Sequence, residues 1–191
     1  MGDFAFYFRL GWEHIMSWDA LDHLLFVSVL AAAYMLQGWK QVLILVTAFT
    51  IGHSITLALS TFNIVNLSTP WVEFLIPCTI VFTALANLFQ KDFTAVRIRF
   101  NYLMALFFGL IHGLGFANTL RFILAKDQQL GWALFGFNIG VELGQIMVVG
   151  CILLLAQLFI IVLHVNRRDW IVFISAAVFS LALKMALERF P

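Results

Sequence analysis

Apolar runs at residues 11–36, 41–61, 71–89, 100–124, 131–163 and 169–188 divide the chain, each near or above the ~20 residues that an α-helix needs to cross hydrocarbon. Between them stand short polar breaks: Gly38 to Lys40, Thr69 and Pro70, the charged run 90–99, Ala125 to Asp127, and Asn166 to Asp169. The pattern predicts an all-α polytopic membrane bundle of six transmembrane helices, with room for a seventh, forming one integral membrane domain over residues 1–191. The fifth run is too long for an upright helix, so it tilts strongly or extends beyond the bilayer before Arg167.

Composition agrees. With 63% hydrophobic and 11% charged residues and a mean hydropathy of +0.99, lipid must cover much of the surface. A net charge of +1, without a basic run interleaved with aromatics, sets nucleic acid aside as a partner. Lys40, Lys91, Arg97, Arg99, Arg167 and Arg168 follow helices one, three and five, which orients both termini away from the cytoplasm. Cys78 and Cys151 are read as small buried apolar residues, and the first residues lack the basic start and cleavage site of a signal peptide.

Against this background the costly residues are Asp19, Asp22 and His23 in helix one, His53 in helix two, His112 in helix four and Glu142 in helix five. At ~1.5 Å of rise per residue, His23 and Glu142 lie about 18 and 16 Å in from one side, and His53 and His112 about 20 Å in from the other. One shared layer is expected. Thr50, His53, Thr56 and Ser60 make a polar stripe on helix two; Asn138, Glu142 and Gln145 make one on helix five, opposite Gly136, Gly140 and Gly144. Glycines at 109, 113 and 115 around His112 let a neighbouring backbone come close. His23 and His112 are 89 residues apart, as are His53 and Glu142, the mark of an inverted pair of three-helix units.

A single intramembrane histidine can simply bond a carbonyl on the next helix. Three of them with two carboxylates at one depth fit a cation site better, and imidazole and carboxylate donors suit Ni, Zn, Co, Mn or Fe. His14, nine residues before His23, falls on the opposite face of a continuous helix and then occupies a separate outer position. A break near Ser17 to Asp19 would change that. His164, beside Arg167 and Arg168, is read as interfacial.

The strings GWEHIMSWDALDHLLFV at 11–27, FTIGHSITLAL at 49–59, FGLIHGLGFA at 108–117 and FNIGVELGQ at 137–145 resemble the HupE/UreJ family, in its shorter second branch. The resemblance implies roles for His14 and the Asp22–His23 pair, and for His53. It implies uptake of Ni²⁺ or Co²⁺ for enzymes such as hydrogenase or urease, in the bacterial inner membrane. On that reading Asp22, His23, His53 and His112 replace the ion's water shell and Glu142 compensates its charge. The alternatives are a membrane-embedded zinc hydrolase with Glu142 or Asp22 as general base, and a metal-binding assembly subunit. A protein partner or a homo-oligomer is compatible with each.

Overall fold

The computed structural model describes residues 2–65, 67–90, 98–124 and 130–191. Lys91, Arg97 and Lys126 lie outside them, as do the side chains of Asp19, Arg99 and Arg121. All described elements are helical: α1 (Gly2–Met16), α2 (Leu21–Ala32), α3 (Trp39–Thr61), α4 (Thr69–Phe89), α5 (Ile98–Leu124), α6 (Leu130–Gln157) and α7 (Arg167–Glu188). α3, α4, α6 and α7 are long and apolar enough to span a bilayer, and the bent α1–α2 pair adds a fifth where it is counted as one broken span. The expected count of six is therefore not reached among the described residues: in α5 the described apolar stretch, Asn101–Phe116, is shorter than the others. Phe82, Leu154 and Phe173 project outward, as lipid solvation requires.

The first apolar run is two helices. Ser17 is extended (φ −82°, ψ 151°), a 3-10 turn follows at Trp18–Ala20, and the halves meet at 69°. Ser17 is a residue type suited to the N-cap position, although its hydroxyl makes no cap bond here; its own N–H still bonds the Glu13 carbonyl at 2.9 Å, closing α1. Asp22 then sits in the first turn of α2, where the helix dipole favours a carboxylate. At the far end Arg167 Nη2 donates to the Ala33 carbonyl at 2.9 Å. The long fifth run ends as α6 and a π-helical turn at Leu158–Val162.

Glycines decide how the helices pack. Phe4, Phe8 and Ile15 meet Gly136, Gly140 and Gly144 in order, so α1 and α6 run side by side in one direction. Phe49 and His53 meet Gly109 and Gly113 in order, so α3 and α5 do the same. The two pairs match contact for contact. Gly11 lies against the Phe137 carbonyl and Gly109 against that of Phe49; Gly140 lies between Phe8 and Trp12, and Gly52 between Leu106 and Leu110. Behind this are two repeated strings, Gly-x-x-His at 11–14 and 109–112, and Phe-x-Ile-Gly at 49–52 and 137–140. With α5 counted as a span, successive spans cross in alternate directions and the repeat is inverted. Its register pairs His14 with His112 and His53 with Val141, in place of the expected pairing of His23 with His112 and His53 with Glu142.

Cys78 is partly buried and Cys151 exposed, against the expectation that both are buried.

Candidate metal centre

The break between α1 and α2 brings His14 beside His23, with ring centroids 4.9 Å apart. This corrects the continuous-helix expectation, which separates them. His53 from α3 lies 5.6 Å from His23 and 6.4 Å from His14, and His112 from α5 lies 5.1 Å from His23. His23, His53 and His112 are almost fully buried. The glycine contacts supply the reason, because Gly109 and Gly113 bring the α5 backbone onto α3 at the turns that carry His53 and His112.

Two tautomers follow from the bonding. Asp22 Oδ1 accepts from the His23 backbone N–H at 2.8 Å and lies 3.0 Å from His23 Nδ1, so Nδ1 carries the proton and Nε2 the lone pair. Thr79 Oγ1, on α4, donates to the Ile76 carbonyl at 2.7 Å and lies 3.1 Å from His112 Nε2. Nε2 then donates to the hydroxyl, and His112 Nδ1 is left basic. Both basic nitrogens are buried without a hydrogen-bond partner among the described residues, as are His14 Nε2 and both nitrogens of His53. Each orphan of this kind costs on the order of 1–3 kcal/mol unless a ligand or water meets it. The donor set suits a borderline divalent ion. In this arrangement no group of three or more described His, Cys, Asp or Glu side chains is set to hold one. Convergence requires the rings to turn about χ2, a torsion with broad wells.

A cavity of about 230 Å³ reaches the layer, lined by His14, Asp22, His23, His112 and, at its rim, Glu73 and Arg189. On the other side Phe26 stacks on Phe49 (4.7 Å) and meets Phe108 edge-on (6.0 Å). Beyond that wall lies a second cavity of about 80 Å³, lined by Phe26, Tyr34, Asn87 and Asn101 among others. The first opens where α4 begins and α7 ends, the second where α2 and α4 end, at opposite ends of the bundle.

Glu142 stands elsewhere. It accepts from Thr47 Oγ1 at 2.6 Å, next to Gln145, which accepts from Thr50 Oγ1 at 2.8 Å. Glu142 and Gln145 thus fasten α6 to α3, and neither lines the histidine cavity. Glu142 Oε2 remains buried without a partner. His164 is exposed. Thr79 was not legible as a site residue, because nothing in the sequence of α4 links it to His112.

Over residues 1–189 the chain matches the HupE / UreJ protein family, and it belongs to that family. Proteins of this family are generally membrane proteins of nickel- or cobalt-transporter type. No curated protein and no solved structure matches it.

Proposed function

We propose that this HupE/UreJ protein carries a divalent transition-metal ion of the Ni²⁺ or Co²⁺ kind across the bacterial inner membrane. His14, His23, His53 and His112 take the ion, with Asp22 orienting His23. The observation that carries the reading is the set of five unpartnered buried imidazole nitrogens on touching rings, between cavities at opposite ends of the bundle. A site assembled by ring rotation binds less firmly than a rigid cage, and a carrier must release its cargo. With Lys40, Arg167 and Arg168 facing the cytoplasm and both termini outside, the wider cavity receives the ion from outside. For a hydrolase with Glu142 as base, that carboxylate is badly placed, since it is bonded to Thr47.

Elemental analysis of the purified protein tests the site. Wild type should retain about one divalent ion per chain, and His23→Ala or His112→Ala should lose most of it. Proteoliposomes should take up Ni²⁺ with wild type only. Full occupancy in both variants would remove the site; occupancy without flux would point to an assembly subunit.

A further inference from the structure

The cavity rim holds a cation of its own. Arg189, at the C-cap of α7, places Nη1 3.7 Å from Asp22 Oδ2, with the arginine side chain 34% and the carboxylate 12% exposed. Asp22 is divided between two partners, Oδ1 facing His23 and Oδ2 facing the guanidinium. Glu73, from α4, lines the same rim. A carboxylate this deep requires a counter-charge, since an unpaired buried ion costs several kcal/mol. Asp22 and His23 line the same cavity as Arg189, so a cation entering it meets the oxygen that Arg189 faces.

We propose that Arg189 is the resident counter-cation of Asp22, displaced when a divalent ion enters and returned when it leaves. At equal distance a divalent ion gains twice the Coulomb energy of a monovalent one. Na⁺ or K⁺ therefore exchanges one unit charge for another and gains little, whereas a divalent ion gains enough to move the arginine. Arg189 discriminates by charge at the rim, before the imidazoles discriminate by chemistry. This rests on the cavity being the metal path.

The test is Ni²⁺ titration of detergent-purified wild type, Arg189→Gln and Arg189→Lys, using NiCl₂ alone as probe. Loss of a competing cation should tighten Ni²⁺ binding by on the order of tenfold in Arg189→Gln, while Arg189→Lys stays near wild type. A merely structural link between α7 and α2 predicts the reverse: lower thermal stability, with affinity unchanged or weaker. Phenylglyoxal labelling of wild type, read by mass spectrometry, serves if the glutamine variant does not fold. Labelling at Arg189 should rise as NiCl₂ is added, and constant labelling overturns the proposal. Wild type with no Ni²⁺ affinity would defeat the proposed function itself; wild type that binds, with unaltered Arg189→Gln affinity, would defeat this inference alone.

Discussion

Between α1 and α6 the Phe137 carbonyl lies on Gly11, and between α3 and α5 the Phe49 carbonyl lies on Gly109, so one packing device is used twice. The polar residues are not. His14 and His112 are counterparts, but His53 faces Val141 across the repeat, and Glu142 has Ser54 as its equivalent. α5 continues as one helix to Leu124, whereas α1 stops at Met16 and the chain turns to present Asp22 and His23. Backbone contact demands glycine in both pairs, because any Cβ there strikes another main chain. The proposed metal site needs only a single set of donors, which leaves those positions free to differ.

The largest effect should come from breaking the shared device. Gly11→Leu and Gly109→Leu each force a side chain into a carbonyl, and each should destabilise by about 3 kcal/mol or more. Thermal unfolding in detergent measures this; Gly150→Ala, which meets nothing within 4 Å, is the control. A tolerated leucine at one site alone would break the equivalence.

Next come the positions that differ. His53→Ala should cut metal occupancy at least tenfold, while Val141→Ala should leave occupancy unchanged and cost only about 1–3 kcal/mol of stability. Equal occupancy in the two would mean that His53 is merely packed.

Thr79→Val is smaller. It frees His112 to take the other tautomer, and Ni²⁺ affinity should fall roughly tenfold without loss of fold. His14 Nε2 has no such partner among the described residues, so the effect is confined to one half of the repeat. Smallest is Gly144→Ala, whose added carbon would lie 3.0 Å from Ile15 Cβ; a side chain can yield, and about 1 kcal/mol is expected in the same unfolding assay.

The apolar runs were legible because bilayer thickness sets their length, and so were the glycine faces of α5 and α6. The bend at Ser17 was readable only as one of two options, since Ser and Asp permit a break without requiring it. The duplication was legible but its register was not. Matching His23 to His112 and His53 to Glu142 favoured a single offset of 89, whereas the Gly-x-x-His strings stand 98 residues apart and the Phe-x-Ile-Gly strings 88, so no one offset aligns the halves. Residues that diverge in function mislead an alignment, and residues held by packing do not. The Asp22–Arg189 pair joins distant parts of the chain, and no periodicity announces it.

The aromatic wall of Phe26, Phe49 and Phe108 bears on the energy supply of the cell. Each elementary charge falling through 100 mV dissipates about 2.3 kcal/mol, so a continuous column of water through the bundle would drain the membrane potential. Phenyl rings between the two cavities interrupt such a column and give protons no chain of hydrogen bonds to follow. A protein with this wall can sit in an energised membrane at high copy number without acting as a short circuit.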